Sequence, residues 1–113
     1  MQRDLTKGDI PILILAVLSN GRSHGYAIAR DIEQQSGQSL RLREGSLYPA
    51  LRVLEQEGLI ASEWETQPSG PARKVYGLTA SGRKALEQRA RSWRQYVSTM
   101  DAILGGIGHA RKA

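Results

Sequence analysis

The sequence predicts a mainly α-helical chain carrying one small β-hairpin, with a long helix at its C-terminal end. Three observations predict it. Leu47, Leu51 and Leu54 recur at helical spacing between Ser46 and Gly58. Two strand-like stretches, residues 59–66 and 72–78, flank the turn-rich tip Gln67-Pro68-Ser69-Gly70-Pro71. Beyond Thr79, apolar residues return every third or fourth position.

The first element is IPILILAVL, Ile10 to Leu18. A continuous apolar run fits a buried strand or a buried helix equally well. Asp9 as a cap and Pro11 in the first turn favour helix, and Asn20-Gly21 stops it. Ser23 is the expected cap of a second helix, with Tyr26, Ile28, Ala29 and Ile32 on one face, ending near Ser36 and Gly37. Ser39 to Arg43 allows a short extended connection through Leu40 and Leu42. The third helix is expected from Ser46, its cap, to Glu57, with Pro49 in the first turn, where a missing N–H costs no helical bond. Trp64 and Tyr76 suit cross-strand packing on the hairpin. Thr79 is expected to cap a last helix running to about Leu104. The organisation is then a body over 1–78, a helix over 79–104 and a flexible basic tail over 105–113.

Composition narrows the classes of function. The chain has 113 residues, no Cys and no Phe, so one domain is expected and disulfides, thiolate metal sites and thiol nucleophiles are excluded. A reducing cytoplasm fits that composition, and a cytoplasmic chain is the expectation. The run from Ile10 to Leu18 is too short to span a bilayer and follows Asp4 and Asp9 rather than a basic start. Sixteen Lys and Arg against 11 Asp and Glu give a net charge of +5. Residues 1–60 are neutral, with seven of each sign, and the whole excess lies in 61–113. A basic balance points to a polyanion, with nucleic acid ahead of membrane.

Helices followed by a hairpin are the parts of a winged helix-turn-helix, whose last helix before the hairpin enters the major groove of DNA. Three leucines anchor that helix inward and leave Ser46, Tyr48, Pro49 and Arg52 near its outward N-terminal end. Arg52 can pair with guanine or phosphate, and Tyr48 can offer a hydroxyl or stack on sugar. Arg41 and Arg43 lie just upstream, and Arg73 and Lys74 leave the hairpin tip in alternate directions. Any one of these charges could simply be solvated. Their concentration on the two DNA-facing elements makes double-stranded DNA the expected partner.

The stretches HGYAI (24–28), GSLYPALRVLEQEGLI (45–60), GPARKVYGLT (70–79) and SGRKAL (81–86) resemble the PadR-like transcriptional regulators. The resemblance covers the chain from about Ile10 to Leu104 and is to a short form with a single C-terminal helix. It implies a dimeric winged helix that represses transcription. It carries recognition-helix contacts to Ser46, Tyr48 and Arg52, and wing contacts to Arg73 and Lys74. Val53 departs from the family, which commonly has a second basic residue there. Val75 and Gly77 replace aromatic and larger polar residues, and Gly77 is expected to loosen its strand.

Leu86, Ala90, Trp93, Val97, Met100, Leu104 and Ile107 step alternately by four and three, a 3.5-residue seam. Tyr96 and Ile103 widen one flank. The seam spans about 22 residues, roughly 33 Å, longer than one small domain needs. A homodimer is therefore expected, presenting two recognition helices to an inverted-repeat operator. In some relatives a tryptophan on this helix lines a cavity at the dimer centre. That resemblance makes Trp93, with Tyr96, Val97 and Met100, the expected wall for a small planar aromatic effector. The competing reading is that Trp93 only fills the interface. His24 reads either as a structural histidine or as a phosphate contact, and two distant histidines make no metal site. Glu55 and Glu57 lie on different helix faces, and Glu63 and Glu65 form a solvated strand face, so no enzyme and no cofactor are expected. The rival functional class is a protein-interaction or small-molecule-sequestering module that has lost operator binding. A membrane-surface role is disfavoured because Arg83, Arg89, Arg91 and Arg94 interleave with the seam.

Overall fold

Helix α1 (Ile10–Leu18) is the centre against which the other three helices pack. In the computed structural model, which describes residues 2–108, its Ile10, Ile14, Leu15, Val17 and Leu18 are all buried. The apolar run is a helix, with Pro11 in its first turn, where no N–H is missed. Asp9 flanks it without a side-chain cap, because its carboxylate instead accepts a 2.8 Å bond from the Thr6 hydroxyl. Gly21, at φ 144°, lets the chain turn away.

Helix α2 (Gly25–Gln35) buries Ile28 and Ile32 against α1. Its cap is His24, not Ser23: the Ala27 N–H donates to the imidazole Nδ1 at 3.4 Å. Ser23 and His24 instead form a short strand, β2. Tyr26 also departs from expectation. It is 60% exposed, with the Arg30 guanidinium 5.7 Å from its ring, so the buried face is Ile28 and Ile32 without it. Strand β3 (Leu40–Arg41) follows and pairs in parallel with β1 (Arg3–Asp4), an N-terminal strand with no sequence signal of its own.

Helix α3 spans Glu44–Gln56 and buries Leu47, Leu51 and Leu54, each 1% exposed. Burying each is worth about 1.5–3 kcal/mol. The helix starts two residues before Ser46, with Arg43 as its flanking residue and no side-chain cap. Pro49 is therefore inside the helix rather than in its first turn, and its ring leaves the Gly45 carbonyl without a helical donor. The other end is a Schellman motif: Gly58, at φ 76°, donates to the Glu55 carbonyl and Leu59 to that of Leu54.

Strands β4 (Ile60–Glu65) and β5 (Arg73–Leu78) form the wing, with Ser62 opposite Tyr76 and Trp64 opposite Lys74. Strand β2 adds to the other edge of β5, giving the order β2-β5-β4. The ladder runs on through Gly77, opposite Ala61, and the space that glycine leaves is taken by the Arg22 side chain, which reaches Glu63. Trp64 and Tyr76 share a face, yet Tyr76 is buried and Trp64 exposed.

Thr79 caps helix α4 (Ala80–Gly108), accepting from the Gly82 N–H at 2.9 Å while donating to the Gly58 carbonyl at 2.7 Å. A Cβ at Gly82 would lie 1.9 Å from the Leu59 carbonyl oxygen, so only glycine lets α4 cross there. Ala85 and Leu86 pack on the core, and every side chain from Arg91 to Leu104 is exposed. The helix passes its expected end at Leu104 by four residues, into the stretch expected to be a flexible tail; the tail's residues 109–113, His109 among them, lie outside the described residues. No described helix is long and apolar enough to cross a membrane.

Candidate nucleic-acid interface

Helix α3 directs two different faces outward. Tyr48 and Arg52, one turn apart, lie toward the wing. The Tyr48 ring rests on Gly25, where a Cβ would stand 2.8 Å from its Cε1 and hydroxyl. The HGY and LYP stretches are therefore a matched pair: the first supplies a gap, the second fills it. Arg52 is exposed, with its guanidinium available to an acceptor. Pro49 and Val53 are exposed on the other face, where they join the half-buried Ser46, Lys7, Pro11 and Arg89 around a shallow groove. The structure thus brings Tyr48 and Arg52 together and sets Ser46 and Pro49 apart from them.

Arg41 and Arg43 converge on one carboxylate. Arg41 Nε lies 3.2 Å from Asp4 Oδ1 and Arg43 Nε 3.1 Å from Oδ2. Hydrogen bonds from Arg43 and then Arg41 hold the Asp4 carboxyl below its ordinary range. Asp4 escaped sequence reading because it reaches this place through the β1–β3 pair, across 37 residues of chain.

On the wing, Arg73 is exposed at the tip end of β5. Lys74 points inward. Its Nζ lies 6.0 Å from the Trp64 ring centre, 5.9 Å from that of Tyr76 and 3.9 Å from Glu55 Oε1. Glu55 also accepts from the Ser62 hydroxyl, so one carboxylate on α3 holds both wing strands. Burial first, and then the Glu55 carboxylate, push the Tyr76 phenol above its ordinary value. Trp64, expected only to pack across the hairpin, is 69% exposed beside this cluster. Behind the wing, burial and then Arg73 depress the His24 imidazole, Glu65 opposing them.

The α4 seam divides in two. Leu86 joins the core and Ala90 is half-buried, while Trp93, Val97, Met100 and Leu104 are exposed. Ile107 lies in α4, its side chain outside the described residues. Trp93 and Tyr96, with ring centres 5.9 Å apart, line an open cleft of about 620 Å³ against Pro11 and Ile12 of α1. Val97 and Met100 stand further along α4 and are not part of that cleft. Among the described residues no group of three His, Cys, Asp or Glu side chains gathers as metal ligands.

A sequence profile described as "Transcriptional regulator PadR-like family" matches residues 14–88. The chain is 31% identical over 107 residues to transcriptional regulator Rv3488 of Mycobacterium tuberculosis, covering 95% of this chain and 94% of that protein. It is 33% identical over 73 residues to the negative transcriptional regulator PadR of Bacillus subtilis, but spans only 40% of that protein's length. Among solved structures, a PadR family transcription regulator from Clostridium difficile superposes with a TM-score of 0.77 at 37% identity, covering 87% of this chain and 100% of that one. A transcriptional regulator from Clostridium thermocellum gives a TM-score of 0.79 at 27% identity over 85% and 93% of the two chains. Proteins of this family regulate transcription rather than catalyse reactions. With the profile, the relatives and the winged helix in agreement, the chain belongs to the PadR-like family of DNA-binding transcriptional regulators.

Proposed function

We propose that the chain is a cytoplasmic repressor that binds an inverted-repeat operator as a homodimer. One observation carries the reading: Trp93, Val97, Met100 and Leu104 form an uncovered apolar stripe on a helix that outruns its own domain. Covering that stripe with the same stripe of a second copy hides apolar surface that one chain leaves in water. Two-fold symmetry then aims both α3 helices at half-sites about one DNA turn apart. Tyr48 and Arg52 read base edges or the adjacent backbone, Ser46 and Pro49 border the same helix end, Arg41, Arg43 and Arg73 supply positive charge toward phosphate, and Lys74 supports the wing through Glu55.

A small planar aromatic effector acts at the seam, stacking on Trp93 and Tyr96 with Val97 and Met100 nearby. A ligand that favours one crossing angle of the α4 pair shifts the separation of the two recognition helices and with it operator affinity. The cleft against Ile12 supports this reading.

Sedimentation with and without a duplex carrying the DNA upstream of its own coding sequence tests the assembly. A dimer at micromolar concentration that binds this duplex with steep salt dependence is expected. A monomer that binds no duplex favours an interaction or sequestering module instead. For the effector, Trp64→Phe leaves Trp93 as the only tryptophan, and its fluorescence should be quenched saturably by planar aromatics. No quenching across a broad panel removes the effector from the proposal.

A further inference from the structure

The N-terminal strand carries the acidic side chain of Asp4 to the place where Arg41 and Arg43 converge. The Arg3 N–H donates to the Ser39 carbonyl at 2.9 Å and the Leu5 N–H to that of Arg41 at 3.0 Å, which fixes Asp4 beside Arg41. Each arginine engages the Asp4 carboxylate through its Nε, at 3.2 Å and 3.1 Å. A guanidinium has five N–H donors, four of them on its two terminal nitrogens. Among the described residues, the Nε bond to Asp4 is the hydrogen bond the structure gives each guanidinium. Both side chains remain about half exposed, and Arg43 immediately precedes α3.

We propose that Asp4 is a positioning residue for DNA binding, holding Arg41 and Arg43 by their Nε edges so that their terminal NH2 groups are presented together to one stretch of phosphodiester backbone. This rests on the reading of Arg41 and Arg43 as phosphate ligands. Two effects of Asp4 oppose each other. Its charge repels DNA and cancels part of the local positive field. Its two hydrogen bonds remove rotamer freedom that two long side chains would otherwise lose on binding. Asp4 is about half exposed, so its repulsion acts partly through water and salt, with a Debye length of about 8 Å at physiological ionic strength. In this proposal, the ordering of two long side chains outweighs the repulsion of one half-exposed carboxylate.

The sign of the effect is therefore counter to simple charge counting: removing an acid from a DNA-binding surface weakens binding. The test measures fluorescence anisotropy of the full chain with the duplex upstream of its own coding sequence and with an unrelated duplex of equal length, across a salt series. Asp4→Ala is expected to weaken binding to the first duplex about five- to tenfold and to reduce the salt slope by roughly one. Asp4→Asn, which keeps one acceptor, is expected to fall between. In an Arg41→Ala/Arg43→Ala background, Asp4→Ala is expected to have no further effect.

Tighter binding by Asp4→Ala would make Asp4 a brake and overturn the proposal. An equal loss in the arginine-free background would make its role that of holding the β1–β3 pair, and would also overturn it. If the Arg41→Ala/Arg43→Ala chain binds like the wild type, the phosphate-ligand reading fails and the role of Asp4 falls with it. If the arginines matter and Asp4 does not, the role of Asp4 alone falls.

Discussion

The Tyr48 ring occupies the space a side chain at residue 25 would need, so the start of α2 and the outer face of α3 are fitted to each other through Gly25. Gly25→Ala places its Cβ against the end of a flexible side chain, which can swing aside without moving the backbone. The expected outcome is a small change in melting temperature with weaker operator binding, about 1–2 kcal/mol or roughly five- to thirtyfold. Gel-shift titration beside thermal unfolding checks it; a large stability loss with unchanged affinity would contradict the assignment of Tyr48.

Arg73 and Lys74 are adjacent in sequence but differently committed. Arg73→Ala is expected to weaken binding to all duplexes alike and to reduce the salt slope by about one. Lys74→Ala is expected to change the slope less and to cost about 0.5–1 kcal/mol of stability, through lost ring and carboxylate contacts. Equal slope changes from the two variants would show that Lys74 leaves Glu55 to reach DNA.

The α4 stripe gives a sharp test of assembly. Val97→Asp puts a charge on a side chain that already faces solvent in one protomer, so the fold should survive. In a dimer the same carboxylate would be buried unpaired, weakening association by about 3 kcal/mol or more, over a hundredfold. Sedimentation equilibrium reads the difference, and circular dichroism verifies that the helix content is kept.

His24 sets an acid-side limit on stability. Its Nδ1 accepts the Ala27 N–H, which requires an unprotonated nitrogen, and its pKa lies below the ordinary 6.5. Above that value both folded and unfolded chains carry a neutral imidazole. As pH falls through it, the unfolded chain takes up the proton first, so stability declines until pH drops past the folded value. A pH series of denaturation midpoints should show this decline, and His24→Asn, which keeps a capping oxygen, should abolish it.

The four helices and the wing were legible because each carries a local signal: the leucine period of α3, the uninterrupted apolar run of α1, the turn residues between β4 and β5. Strands β1, β2 and β3 are two-residue pairings between distant segments, and no periodicity exists over two residues. Ser46 has the chemistry of a cap, but the Leu47 N–H already donates to the Arg43 carbonyl at 2.9 Å, so the helix begins at Glu44 with no side-chain cap. Spacing groups Tyr26 with the buried face, but two residues before Ile28 it lies across the helix from Ile28 and Ile32, and its ring is exposed beside Arg30. In the interface, the outward placement of Tyr48, Pro49 and Arg52 followed from the leucines being inward. The engagement of Arg41 and Arg43 by Asp4, and of Lys74 by Glu55, did not, because those partners are brought together only by the fold.

Gly82 makes the base of α4 a fulcrum. With the Leu59 carbonyl occupying the space of a Cβ, Gly82→Ala must pry the helix off backbone atoms that cannot swing away. Overpacking of this kind typically costs about 1–3 kcal/mol. Its geometric result is larger than its energetic one. Over 29 residues the rod extends roughly 43 Å, so each degree of tilt at its root carries the far tip sideways by roughly 0.7 Å. In the proposed dimer, one missing methyl group would calibrate how far apart two clasped copies hold their α3 helices.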